Sequence, residues 1–240
     1  MQSQLYVSYS AQIALQRRLD SIANNMANVS TAGFRGDEIS FEQIVSLSGT
    51  EPTSFVSKGS DHISLKTGEF TRTGNPLDIA VRGGSWLATQ AGDTVAYTRD
   101  GRMKLSETGA LTSLTGNLIL DTSGSPLQLE VNGPTPQIAA DGTISQGQRR
   151  VGSIGLFTMD PGARLTRAEG SAIIPDIAPT PELDFNANGI QQGFVENSNV
   201  SPIEQLVRLI AVQRTFEAVT SAIKESETML QEATRALSGA

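Results

Sequence analysis

The chain has 240 residues, 38 % of them hydrophobic and 18 % charged, and a formal net charge of -7. This composition is globular, and its acidic balance with scattered Lys and Arg argues against a nucleic-acid binder, which would carry a basic patch. Cysteine is absent, so disulfides, thiolate nucleophiles and Cys-ligated metals are excluded.

The N-terminus reads MQSQLYVSYSAQIALQRR. No basic residue precedes its apolar stretch, so a cleaved secretory signal is not expected. No apolar run anywhere approaches the roughly 18 residues that would suggest a membrane-spanning helix. Leu15, Leu19, Ile22, Met26 and Val29 recur at alternating spacings of four and three. That heptad rhythm predicts a helix over residues 1–30. Asn24, Asn25 and Asn28 interrupt it with a residue that forms helices poorly, because its amide competes for backbone hydrogen bonds. Gly33 can end the helix. Amides beside an apolar seam can fix register between packed helices, and that is the expectation here.

Residues 31–75 are rich in Ser, Thr and Gly and read as an extended connector. From 76 to 175, turn pairs such as Gly92-Asp93, Asp100-Gly101, Thr115-Gly116 and Asp141-Gly142 punctuate short β-type runs including LDIAV, TVAYT and LQLEV. Regular turns at this interval predict a compact antiparallel β body. Residues 176–200, with Pro179 and Pro181, read as a second connector. The last helix, 201–240, opens on SPIE. Ser201 is placed to cap it, Pro202 stands where its missing N–H does no harm, and Glu204 completes a capping box. Leu209, Val212, Phe216, Val219, Ile223 and Leu230 repeat the heptad rhythm, while Ile203, Leu206 and Ile210 make a second stripe. The expected fold class is therefore α+β: long terminal helices paired in coiled-coil fashion, a mainly antiparallel β domain inserted between them, and extended connectors.

Chemistry is sparse. His62 is the only histidine and lies in a polar segment, so neither a zinc site nor a Ser-His-Asp triad has its partners. No phosphate loop, dinucleotide fingerprint or nucleophile elbow is present. DFNANG, Asp184 to Gly189, matches the opening of a calcium loop, but the required glutamate position holds Val195. A turn explains it better, and a calcium- or carbohydrate-binding β module stands as the rival class. Catalytic, cofactor and metal residues are all expected to be none.

IANNMANVSTAGFRG, GNPLDIAVRGGSWLATQ with AYTRDGRMKLSETGALTSLTGNLIL, and QQGFVENSNVSPIEQLVRLIAVQRTFEAVTSAIKESETMLQEATRAL occur in that order. Together they resemble the bacterial flagellar rod and hook proteins. Asn24, Asn25, Asn28, Gly33 and Phe34 match that family's N-terminal signature; Asn197, Ser198, Asn199 and Val200 match the motif that leads into its last helix. The short chain is most similar to the proximal rod members. The distal rod members are the next reading, although they usually carry two phenylalanines where Trp86 and Leu87 stand here. The resemblance implies a non-enzymatic subunit, exported by the flagellar type III apparatus without a cleaved signal and placed in the periplasmic rod of the basal body. It implies helical stacking with copies of itself and with other rod proteins into a hollow shaft that transmits torque. On this view the assembly contacts fall on Leu15, Leu19, Ile22, Met26 and Val29, and on Leu209, Val212, Phe216, Val219, Ile223 and Leu230.

Overall fold

The structure is a computed structural model that describes residues 2–40, 43–46, 53–56 and 60–238. The fold is α+β, and its chain falls into two units. Residues 1–27, 37–62 and 201–240 form the first; residues 28–36 and 63–200 form the second.

In the first unit, helix α1 spans Gln2–Ala27 and helix α2 spans Pro202–Ser238. The two touch, and the Tyr9 hydroxyl donates to Glu227 Oε1 at 2.9 Å. The heptad rhythm explains which faces turn inward. Ile22 is buried on α1, with Leu15, Leu19 and Met26 half-buried; Val212 and Ile223 are buried on α2, with Leu209, Phe216 and Val219 half-buried. Leu230 lies on α2, but its side chain is outside the described residues. The start of α2 follows from its first residues: Ser201 Oγ accepts the Glu204 N–H at 3.4 Å, and Ser201 O accepts the Gln205 N–H at 3.1 Å. Helix α1 stops at Ala27, so Val29 lies in the turn that follows rather than on the helix.

The asparagines act locally. Asn25 is buried, its Nδ2 donates to Asp37 O at 2.9 Å, and its Oδ1 accepts the Asp37 N–H at 2.7 Å. The side-chain amide thus pairs with a peptide group as a neighbouring strand would. Asn24 Nδ2 donates to the Asp37 carboxylate, and Ser21 Oγ to Asp37 O at 3.2 Å. Together they fasten the strand Asp37–Ser40 to α1. Further strands occupy the stretch read as a connector: Ser60–Ile63 lies beside Asp37–Ser40, and Gln43–Ser46 pairs antiparallel with Thr53–Val56.

The second unit is antiparallel β. Its largest sheet has nine strands. Around Ser85–Ala91, Thr94–Thr98 pairs on one side through the Gly92-Asp93 turn, where Gly92 has φ 60°. Only glycine adopts that conformation without strain. Leu118–Ile119 and Leu156–Thr158 also pair with Ser85–Ala91. Because side chains alternate across a strand, Trp86 and Leu87 point to opposite faces. Leu87 joins the main core with Ile79, Val81, Leu111, Ile119, Ile144 and Leu156, and Trp86 joins a smaller one with Ile63, Met159 and Ile173. Covered on both faces, this strand is buried continuously from Ser85 to Thr89. Full burial of each large apolar side chain stabilises by about 1.5–3 kcal/mol.

The local role of Asn25 gives a first prediction. Asn25→Ala removes the acceptor of the Asp37 N–H and leaves the Asp37 C=O with Ser21 Oγ, and costs about 1–3 kcal/mol, while Asn24→Ala, at an exposed contact, costs little. Chemical denaturation with exchange at the Asp37 amide would show it; equal effects of the two changes would refute the assignment.

Candidate functional site

The most buried charges of the second unit converge on one carboxylate. Strand Phe194–Glu196 pairs antiparallel with Phe70–Arg72, which fixes Glu196 opposite Phe70. Its side chain is fully buried. Oε1 takes Arg35 Nη2 at 2.7 Å and Oε2 takes Arg99 Nε at 2.7 Å; the side-chain exposures are 0 % for Glu196, 2 % for Arg35 and 0 % for Arg99. Oε1 also accepts the Gly68 N–H at 2.9 Å.

Two arginines leave one positive charge in excess, and backbone dipoles take it up. Arg99 donates to Val81 O and Ser85 O, and Arg35 Nη1 to Leu65 O at 3.1 Å. The Arg35 guanidinium also stands 5.8 Å from the centroid of the Trp86 ring, within cation–π range. Burial lowers Arg35 to about 10, with the Glu196 charge opposing and the Arg99 charge adding to the fall. Burial lowers Arg99 as well, again against the pull of Glu196. Arg35 remains a cation at neutral pH.

The signature residues build the walls of this knot. Gly33, at φ 66°, donates its N–H to Glu196 O at 2.8 Å, and a Cβ there would stand 2.2 Å from Asp100 N. No other residue fits that position. Phe34 is 1 % exposed beneath the Arg167 guanidinium, 4.2 Å from the ring centroid. Asn199 closes the other side: its N–H donates to Phe34 O, its Oδ1 accepts the Gly36 N–H at 2.8 Å, and its Nδ2 donates to Lys66 O at 2.8 Å. Asn197 bonds Glu69 O through its N–H and Thr71 Oγ1 through Nδ2, both at 2.8 Å. Ser198 Oγ accepts the Val200 N–H at 3.3 Å, and Val200 is buried. Asn28 stands apart in the turn after α1, where Thr31 N–H donates to its carbonyl at 3.1 Å.

Arg35, Arg99 and Glu196 were not singled out from sequence, since charged residues are ordinarily solvated. The available sign was adjacency: Arg35 directly follows Gly33-Phe34, and Glu196 directly precedes Asn197.

A second buried carboxylate explains DFNANG. Glu182 Oε2 accepts from Ser85 Oγ, Thr158 Oγ1 and Asn188 Nδ2 at 2.7–2.8 Å, and Oε1 from the N–H groups of Leu183 and Asp184. Asn188 Oδ1 in turn accepts the Gly84 N–H at 3.0 Å. The DFNANG turn therefore cradles Glu182, and the Asn188 oxygen a calcium loop would need is used inside the protein. Among the described residues no group of three or more His, Cys, Asp or Glu is placed to hold a metal. His62 lies 3.3 Å from Glu38 Oε2 at the surface. No helix among the described residues is long and apolar enough to cross a membrane.

The chain thus combines helical ends with an antiparallel β body that holds a cluster of buried ion pairs. Comparison with known proteins narrows the class. Residues 5–35 match the family model "Flagella basal body rod protein", residues 80–146 the "Flagellar hook protein FlgE/F/G D1 domain", and residues 191–236 the "Flagellar basal body rod FlgEFG protein C-terminal". The chain is 43 % identical to the flagellar basal-body rod protein FlgF of Mesorhizobium japonicum over 99 % of this chain and 98 % of that one. It is 39 % identical to FlgF of Rhizobium meliloti over 100 % and 99 % of the two chains. With FlgG of Bacillus subtilis the identity is 29 %, over 95 % and 96 %. The chain belongs to the flagellar basal-body rod protein family.

Glu182 yields a pH prediction. The Thr158 hydroxyl first, against the opposing effect of burial, and then the Asp184 N–H, Ser85 hydroxyl and Leu183 N–H hold its carboxyl down at about 2, from an ordinary 4.5. A carboxyl depressed by folding contributes stability above its unfolded value and loses it as the pH falls through the folded one. Wild type minus Glu182→Gln stability is therefore expected to be constant above pH 4.5 and to shrink towards pH 2. Denaturation midpoints measured across that range test it; a difference independent of pH would refute the role.

Proposed function

We propose that the chain is a structural subunit of the proximal flagellar rod, and that it polymerises with copies of itself and other rod proteins through α1 and α2. It acts as a torque-transmitting part of the basal body in the periplasm, is delivered by the flagellar type III export apparatus, and carries out no catalysis. Family membership supports the rod, and the FlgF likeness favours the proximal part over the distal one. The acidic charge gives nucleic acid no purchase.

One observation carries the part played by the helices. The first turns of α2 hold Ile203, Leu206, Val207 and Ile210 at 74 %, 50 %, 63 % and 50 % exposure. Four large apolar side chains in succession, left in water, mark an association surface. Ile13 on α1 is 60 % exposed. The seam of Leu15, Leu19, Ile22 and Met26 with Leu209, Val212, Phe216, Val219 and Ile223 holds α1 and α2 together in coiled-coil fashion. The paired helices then present the outward stripe to neighbouring subunits along an inner tube.

Two experiments test this reading. Ile203→Asp with Leu206→Asp is expected to abolish complete rods and motility while the purified subunit keeps its thermal transition; intact rods would overturn the proposal. Leu19→Asp or Phe216→Asp is expected to block assembly by separating the helices, with the β unit still folded. For the rival class, calorimetry with calcium is expected to register no binding, whereas saturable binding lost in Asp184→Asn would favour a calcium module.

A further inference from the structure

The chain passes between its two units at residues 27/28, 36/37, 62/63 and 200/201. On the β side, every one of those crossings leads within a few residues to the same place. Segment 33–36 arrives with Gly33, Arg35 and Gly36 bonded to Glu196 and Asn199. Ser64 N–H donates to Gly36 O at 2.8 Å, and Leu65, Lys66 and Gly68 are tied in by Arg35, Asn199 and Glu196. Segment 196–199 supplies the carboxylate and the amide at the centre. Arg99 reaches on into the β body through the carbonyls of Val81 and Ser85, and Arg35 through the Trp86 ring.

We infer that the Glu196 knot is a mechanical clamp: force applied through the chain ends enters the β unit there, and the knot must open before the β body can unravel. Three physical facts support it. The crossing segments are bonded to one another side by side, so a pull on one is shared by the others. The central ions are fully buried, and pulling one away leaves the other uncompensated in a dry site, which is strongly unfavourable. The glycines at the crossings permit contacts too close for any side chain: a Cβ on Gly68 would stand 2.1 Å from Asn197 O. The clamp gives the rod reading a route for torque, and rests on that reading only for the source of the force.

The test uses the isolated full chain, so its outcome is separable from rod assembly. In Glu196→Gln, the amides of Gly33, Gly36, Gly68 and Asn199 are expected to exchange at least about tenfold faster, with those of Leu111, Leu120 and Leu127 unchanged. Pulled by tags at its two ends, the variant's β unit is expected to open at a clearly lower force than wild type. A uniform rise in exchange over both sets would make the knot ordinary core and overturn the clamp, as would an unchanged opening force. If Glu196→Gln does not fold, Arg35→Lys, which keeps the charge but loses the forked contact to Glu196 and Leu65, is read by the same two measurements and the same criteria.

Discussion

Glu196 is a carboxylate with no access to water, and the second unit is arranged to make that tolerable. An isolated buried charge would be prohibitive. Here two guanidinium groups and a backbone N–H satisfy it, and carbonyls of three further segments absorb the remaining positive charge. Such a network contributes little net stability over an apolar core of the same shape, yet it is severe on alternatives. Arg35, Arg99 and Glu196 come from three distant parts of the chain, and each must be in place before any is satisfied. The knot therefore selects one way of threading the crossing segments.

The asparagines show how a helix signature carries contacts that one dimension does not display. Asn25 weakens α1 as a lone helix and strengthens it as part of a folded unit, because its amide stands in for a strand edge towards Asp37. Periodicity places Asn24 and Asn25 beside the seam but cannot see Asp37, twelve residues beyond the latter. An amide that is a liability by propensity becomes a specific peptide-like partner once the chain turns back, and Asn25 thereby ties α1 to Asp37.

Legibility followed the locality of the interactions. Both helices, the Ser201 cap and the antiparallel body with its Gly92-Asp93 hairpin rest on contacts within a few residues, and pattern reveals them. The strands between 37 and 63 escaped because their Ser-, Thr- and Gly-rich surroundings suggest a linker. The charged knot escaped for a stronger reason. Its members contribute no periodicity, and solvation is the default state of Arg and Glu. Only Arg35 and Glu196 were marked, by their position against Gly33-Phe34 and Asn197-Val200. The function was legible chiefly because three signature stretches occur in order, not because of any catalytic geometry.

The heptad pattern also left one ambiguity that packing resolves in part. A subunit of a helical polymer needs an apolar face for its own folding and another for its neighbours, and both obey the same spacing. In this chain Val212 and Ile223 are buried while Ile203, Leu206, Val207 and Ile210 remain exposed on the same helix. Apolar residues that wrap most of a circumference require cover on several sides, and one partner helix covers only one of them. The surplus concentrates in the first turns of α2, directly after the Asn197–Val200 motif that builds the knot. The chain thus sets a fully buried carboxylate with its two guanidinium partners a few residues before a run of exposed apolar side chains.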